Sequence, residues 1–72
     1  MTTSRAVRIK PIKLQCLMVE KSFTQGDLAN EAGLSRATVN VAIKTGSCRA
    51  STAIKMANAL GVAVAEIIET EE

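Results

Sequence analysis

Apolar residues recur along the chain in short blocks at helical spacing, and turn or capping residues separate the blocks. In the first block, Leu14, Leu17 and Met18 fall at i, i+3 and i+4, the pattern of one buried helix face. Pro11 suits the first position of that helix, because the N–H that proline lacks has no partner there. The pattern predicts a first helix from Pro11 to about Lys21.

The segment before this helix, residues 1–10, is polar and basic. Terminal segments of this kind are often poorly ordered. We therefore expect a basic arm, either a disordered tail or an arm that docks along DNA phosphates or in a minor groove. Val7 and Ile9 alternate with basic residues, which also allows a very short strand.

The second predicted helix carries signals at both of its ends. Thr24 is placed as its N-cap, and Asp27 three residues later completes a capping box. Phe23 and Leu28 flank the cap at the positions of a hydrophobic staple. Gly33 is placed to adopt the left-handed conformation that ends a helix and turns the chain.

A third helix is predicted between Ser35, a second N-cap candidate, and Gly46. Val39, Ala42 and Ile43 form its buried stripe. Two short helices joined by a glycine turn are typical of a helix-turn-helix, whose second helix can enter the DNA major groove. The residues left pointing outward are Arg36, Ala37, Asn40, Val41 and Lys44.

The remainder of the chain predicts a loop over residues 47–50 and two more helices. Ser51 is expected to cap the fourth helix, which Gly61 ends. The apolar stripe of that helix comprises Ala53, Ile54, Ala57 and Leu60, and the fifth helix has Val64, Ile67 and Ile68. The predicted organisation is all-α with five helices: a basic arm at 1–10, a helix-turn-helix domain at 11–69 and an acidic tail at 70–72.

Composition and charge narrow the picture further. The chain has 72 residues, 47% apolar and 1% aromatic, so we expect one small domain with an aliphatic core. The net charge is only +2, but residues 1–60 carry +6 and residues 61–72 carry −4. A basic body with an acidic tail suits a nucleic-acid partner.

Several function classes are excluded by what the chain lacks. It has no His, and Cys16 and Cys48 alone cannot complete a four-ligand zinc site. No nucleophile lies beside a base, so we expect neither an enzyme nor a cofactor nor a metal. No apolar run is long enough to cross a bilayer and no signal-peptide core follows the N-terminus, so we expect a cytoplasmic protein with reduced thiols.

The stretch from Leu14 to Ile68 resembles the helix-turn-helix domains of the Cro and lambda-repressor class. The resemblance implies a compact DNA-binding fold and a small transcriptional regulator, such as one in a phage lysis–lysogeny switch. Modulator-of-repression proteins of temperate phages are one such kind. The residues that carry the resemblance to the Cro and lambda-repressor class are Leu14, Leu17, Phe23–Gln25, Leu28–Ala29, Ala32–Ser35, Thr38–Val39 and Ala57–Val62.

The resemblance also implies which residues meet operator DNA. Arg can bind guanine bidentately, Asn can bind adenine, and small apolar side chains can contact a thymine methyl group. The base-reading candidates on the third helix (about 36–44) are Arg36, Ala37, Asn40 and Val41. The phosphate-contact candidates are Gln25, Ser35, Thr38, Lys44, Ser47 and Arg49.

A second interpretation is a protein-binding modulator, which grips a companion repressor through the helix-turn-helix surface. The third predicted helix is sparsely charged and carries an outward Val41, which fits such a contact. An antitoxin is a third possibility. A two-fold operator would require a homodimer, with its contact expected at the fifth helix. The partner-interface candidates are Arg36, Val41, Val64, Ile67 and Ile68.

Overall fold

Four α-helices and one pair of short strands form the fold in the computed structural model, which describes residues 6–69. The first five residues of the predicted arm and the predicted acidic tail at 70–72 lie outside this range. The elements are β1 (Ala6–Arg8), α1 (Pro11–Glu20), α2 (Gln25–Ala32), α3 (Arg36–Thr45), β2 (Ser47–Arg49) and α4 (Ala50–Leu60), followed by a 3₁₀ turn at Val64–Glu66.

The predicted fifth helix is corrected to this single 3₁₀ turn. The N–H of Ile67 donates to the carbonyl of Val64, three residues earlier, and the next segment continues as extended chain. Ile67 is completely buried, so it belongs to the core and is not available to a partner. Val64 and Ile68 are half-buried and pack against that core.

The N-terminal segment forms part of the domain from residue 6 onwards, which corrects the predicted arm and the predicted loop at 47–50. β1 pairs antiparallel with β2, with Val7 opposite Cys48. Ile9 extends this contact, because its N–H donates to the carbonyl of Gly46 at 2.9 Å and it bridges to Ile68. The very short strand that the alternation of Val7 and Ile9 with basic residues allows is present as β1, whereas the sequence carries no such signal for β2.

The helix-turn-helix follows the sequence prediction closely. The Thr24 hydroxyl accepts from the Asp27 N–H at 3.1 Å, and the Asp27 carboxylate accepts from the Thr24 N–H at 3.0 Å. Gly33 ends α2 at φ 73°, a left-handed conformation that suits glycine. The Ser35 hydroxyl caps α3 by accepting from the Thr38 N–H at 3.1 Å. These local bonds set the angle at which α3 leaves α2.

The start of α4 and its inner face differ from the prediction. The helix begins at Ala50 with Arg49 at the N-cap, and Ser51 is an exposed residue of the first turn. Ile54 points outward and is 48% exposed, whereas Met56 is buried. The buried residues of α4 are Thr52, Ala53, Met56, Ala57 and Leu60.

The core lies between the four helices and is closed by residues from the two ends of the described chain. Ile9 and Ile67 come from those ends and are 1% and 0% exposed. The remaining buried cluster is aliphatic, as the composition predicts. It comprises Leu14, Met18, Leu28, Ala29, Val39, Ala42, Met56, Ala57 and Leu60.

Thr24→Ala should lower the free energy of unfolding by about 0.5–2 kcal/mol, because it removes one half of the capping box. Urea denaturation followed by circular dichroism measures this change. Ser51→Ala is the matched control, since Ser51 makes no capping bond, and we expect it to stay within about 0.5 kcal/mol of wild type. An equal loss in both variants would place a working cap at Ser51 and contradict the described start of α4.

Candidate nucleic-acid interface

The first residues of α2 and α3 meet at a corner formed by Gln25, Arg36 and Asn40. Asn40 is half-buried, and its Nδ2 donates to the Oε1 of Gln25 at 3.3 Å. Arg36 passes close to Gly26, where a Cβ atom would lie 3.9 Å from its Cδ. This α2–α3 corner therefore holds one predicted phosphate contact and two predicted base readers side by side.

The outer face of α3 carries Ala37, Val41 and Lys44. Their i, i+4, i+7 spacing places them along one line of the helix, opposite the buried Val39 and Ala42. All three are exposed, and Val41 is 55% exposed. The face that points away from the core is therefore mostly apolar, with a cation at its C-terminal end.

An open groove of about 550 Å³ runs beside this face, between α3 and β2. Val41 and Ala37 line one wall and Arg49 lines the other. We refer to it as the α3–β2 groove. Its remaining lining residues are Leu34, Thr38, Ala42, Ser47, Cys48 and Thr52. The groove exists because β2 pairs with β1, and the sequence interpretation therefore missed it.

Thr45 holds the end of α3 against β2, a role that the sequence interpretation also missed. Its hydroxyl donates to the carbonyl of Val41 at 2.8 Å and accepts from the N–H of Ser47 at 3.3 Å. Threonine often bonds the carbonyl four residues earlier, so its position near the predicted helix end was a usable signal. Through these bonds Thr45 positions Ser47, and with it the start of the strand that leads to Arg49.

Ser35 and Thr38 bond to each other at the start of α3. Their hydroxyl oxygens lie 2.8 Å apart, in addition to the capping bond. Both side chains are exposed beside the groove. A phosphate contact from either residue would therefore have to share a hydroxyl that already stabilises the helix start.

Three cationic side chains around α3 form no ion pair with any residue of the described range. Within residues 6–69 the ion pairs are Arg8–Glu69 at 3.7 Å and Lys13–Glu66 at 3.3 Å, so Arg36, Lys44 and Arg49 take part in none.

Two of these cations sit at helix N-termini. Arg36 is the first residue of α3 and Arg49 is the N-cap of α4. A cation at the positive end of a helix is unfavourable for the isolated helix, whereas an anion bound there is favourable. Each helix start therefore combines backbone N–H groups and an arginine, an arrangement that suits a phosphate.

The described residues show neither a metal-binding cluster nor a membrane-spanning helix. Among the described residues, no three His, Cys, Asp or Glu side chains cluster as a metal site would require. In the same range, no helix combines the length and apolarity that crossing a membrane demands.

Cys16 should react with thiol reagents several-fold faster than Cys48 at neutral pH. Cys16 is exposed, whereas burial raises the pKa of the Cys48 thiol and so lowers its thiolate fraction. Mass spectrometry of the protein during maleimide labelling measures both rates. The difference should narrow as the pH is raised towards the Cys48 pKa, and equal rates at neutral pH would contradict the described burial of Cys48.

A family model of the Cro/C1-type HTH DNA-binding domain matches residues 13–72. The chain belongs to the Cro/C1-type helix-turn-helix family. The resemblance stated from the sequence is thus confirmed, and the chain carries a DNA-binding domain.

This Cro/C1-type domain is similar to parts of two solved proteins. It is 27% identical to a hypothetical transcription factor, NHTF, from Neisseria, with a TM-score of 0.68, over 92% of this chain and 84% of that one. It is 25% identical to hydroxyethylphosphonate dioxygenase, with a TM-score of 0.76, over 90% of this chain but only 14% of the dioxygenase. No curated protein sequence matches the chain.

The Cro/C1-type domain groups most of the predicted DNA-contact residues on one side of α3. The α2–α3 corner holds three of them, and Lys44 lies on the outer face. The candidates that line the α3–β2 groove are Ala37, Thr38, Val41, Ser47 and Arg49. The predicted dimer residues Val64 and Ile68 lie apart from these, in a small pocket with Val7 and Ile54.

Proposed function

We propose that the protein is a transcriptional regulator that reads operator DNA with α3. The observation that carries this proposal is the pair of arginines at the N-terminal ends of α3 and α4, with no ion-pair partner among the described residues. They flank the exposed outer face of α3, so a DNA backbone on either side of that helix would meet a cation and a helix N-terminus together.

Base reading is assigned to the outer face and the corner. Ala37 and Val41 are small and exposed, which suits contact with thymine methyl groups. Arg36 can bind guanine O6 and N7, or clamp a phosphate. Asn40 is bonded to Gln25, so the two amides would meet DNA as a unit, with Asn40 at a base edge and Gln25 at the backbone.

Phosphate contacts are assigned to residues around the rim of this face. Lys44 and Arg49 supply charge, and Ser47 lies between them in the sequence as the first residue of β2. Ser35 and Thr38 would contribute hydroxyls while keeping the α3 cap. Contacts of this kind set the register of the protein on DNA and make its affinity depend on salt.

Selection from a random pool of double-stranded DNA, followed by fluorescence anisotropy at several salt concentrations, tests the proposal. We expect an enriched sequence whose log affinity falls linearly with log salt, with a slope near −0.9 for each phosphate neutralised. About two to four such contacts for each domain are expected from the cations and helix ends described. A pool without enrichment, or an affinity that does not respond to salt, would contradict the proposal that α3 reads operator DNA.

We further propose that the regulator acts in a phage lysis–lysogeny switch, in the bacterial cytoplasm, as a homodimer on a two-fold operator. Membership of the Cro/C1-type family supports this role. The genes beside its own provide the test. A divergently transcribed repressor gene supports a switch, whereas an adjacent toxin gene points to an antitoxin instead.

A companion repressor is the second candidate partner, because Val41 is 55% exposed beside an apolar-walled groove. An apolar segment of the companion repressor would occupy the α3–β2 groove and cover Val41. Co-purification with the repressor from the same locus tests this binding. If Val41 serves the repressor, Val41→Lys should abolish the protein complex and retain affinity for DNA. Loss of DNA binding alone would instead assign Val41 to the thymine contact proposed above.

A further inference from the structure

α1 presents an apolar stripe to solvent on the side away from the core. Ile12 and Val19 are 76% and 75% exposed, higher than the other large apolar side chains of residues 6–69. Cys16 is exposed between them, and Gln15 completes the stripe. The core instead uses the opposite side of α1, through Leu14 and Met18. We call these four exposed residues the α1 stripe.

We infer that the α1 stripe binds the same stripe of a second copy of this chain, in an antiparallel helix pair. Ile12 and Val19 lie at nearly equal distances from the midpoint between Gln15 and Cys16. A two-fold axis through that midpoint therefore sets Ile12 opposite the partner's Val19, and sets each Cys16 close to the partner's Cys16. A surface that is complementary to itself in this way is what a two-fold dimer requires.

The charges beside the stripe obey the same symmetry. Lys13 and Glu20 are seven residues apart, close to two helical turns, so they lie on the same flank of α1. The two-fold axis that matches the apolar residues brings Glu20 to within about two residues, roughly 3 Å along the helix axis, of the position opposite the partner's Lys13, and this happens twice. Lys13 also pairs with Glu66 of its own chain at 3.3 Å, so its ammonium group would be shared between Glu66 and the partner's Glu20. Opposite charges thus border the apolar contact on one side, which favours a second copy over a partner of unrelated charge pattern.

The inference does not depend on what α3 binds. α1 is outside the helix-turn-helix, and the stripe shares no residue with the α2–α3 corner or the α3–β2 groove. A single helix pair buries less than the roughly 1,200 Å² of a standard interface, so the dimer is expected to be weak and concentration-dependent.

Sedimentation equilibrium without DNA, from roughly 10 µM to 1 mM protein, is the first test. Wild type should shift from monomer to dimer across this range, and Val19→Lys should remain monomeric. Ile54→Lys is the matched control, because Ile54 is an exposed β-branched residue of α4 outside the stripe. Circular dichroism checks that each variant is folded. A monomeric wild type, or a dimer broken by Ile54→Lys and not by Val19→Lys, overturns the inference.

Charge exchange tests the predicted orientation. Lys13→Glu and Glu20→Lys each place like charges opposite each other, so each variant should dimerise about three- to tenfold more weakly than wild type. An equimolar mixture of the two variants restores opposite charges and should form heterodimers at wild-type strength. If the mixture dimerises no more tightly than either variant alone, the antiparallel arrangement is ruled out.

Cysteine cross-linking tests the position of the axis. Cys16 lies near the two-fold axis, so oxidation by copper–phenanthroline in air should link two chains through Cys16. Cys48→Ser should cross-link like wild type, and Cys16→Ser should not. Efficient cross-linking that requires Cys48 instead would place the contact elsewhere.

Discussion

Ile9→Ala is expected to lower the free energy of unfolding by about 2–5 kcal/mol, the usual cost of truncating a fully buried isoleucine. Ile9 is 1% exposed, and its N–H bonds the turn at Gly46. It also bridges to Ile68, so the lost side chain would loosen contacts at both ends of the described chain. In a domain whose total stability is about 5–15 kcal/mol, much of the population could unfold. Urea denaturation monitored by circular dichroism measures the change.

Ile12→Ala provides the control for this prediction. It deletes the same atoms three residues later, at a position that is 76% exposed, and should change stability by less than about 0.5 kcal/mol. If the two variants lose equal stability, Ile9 does not belong to the core and the pairing of β1 with β2 is not maintained in solution.

Arg36→Glu is expected to reduce the affinity for operator DNA by about a hundredfold or more, while leaving the fold intact. The substitution removes a contact worth about 1–3 kcal/mol and adds repulsion between the new carboxylate and the phosphates. In the free protein, however, a carboxylate at the first position of α3 favours the helix by about 0.3–1 kcal/mol. Affinity should therefore fall while the free energy of unfolding stays constant or rises.

Lys21→Glu makes the same change in net charge at a distant position. The Lys21 ammonium lies beside Gly61, at the opposite end of α4 from Arg49. This variant should lose only the long-range attraction that follows from a two-unit change in net charge, roughly threefold or less in affinity at moderate salt. Equal losses in both variants would mean that net charge alone controls binding, and an unchanged affinity in Arg36→Glu would remove α3 from the DNA interface.

The helix-turn-helix could be predicted almost residue by residue because its signals are local. Thr24 and Asp27 lie within one turn of each other, and the Gly33 and Ser35 signals each depend on the adjacent backbone. Bonds of this kind form wherever the residue types stand at the right spacing, so they are visible in the sequence.

The parts that could not be predicted depend on contacts between distant segments. Val7 pairs with Cys48 across a long sequence separation, and α4 begins at Ala50, directly after the strand that contains Cys48, with Arg49 and not Ser51 at the N-cap. The sequence allows Ile67 either in the core or at a partner interface. Its burial belongs to a cluster that also holds Ile9, from the other end of the described chain, and this contact is not visible in the sequence.

The candidate site likewise combines features that depend on local sequence, which could be predicted, with contacts between distant segments, which could not. The outward positions of α3 follow from helical periodicity, so Ala37 and Val41 were correctly placed on its exposed side. The bond between Asn40 and Gln25 joins two helices, and the groove wall at Arg49 needs β2 in place. The division of roles between bases and phosphates remains a prediction, which the variants above address.

The contact between the first and last described segments also has a consequence for synthesis. The N–H of Lys10 donates to the carbonyl of Ile67, and the N–H of Glu69 donates to the carbonyl of Arg8. During translation the helices can begin to form in order and β1 can pair with β2, but the bonds of Arg8 and Lys10 to the last described segment can form only after residues 67–69 have left the ribosome. Until then the side of the core that Ile67 closes stays uncovered, so an incomplete chain is more exposed to proteases and chaperones than the finished domain.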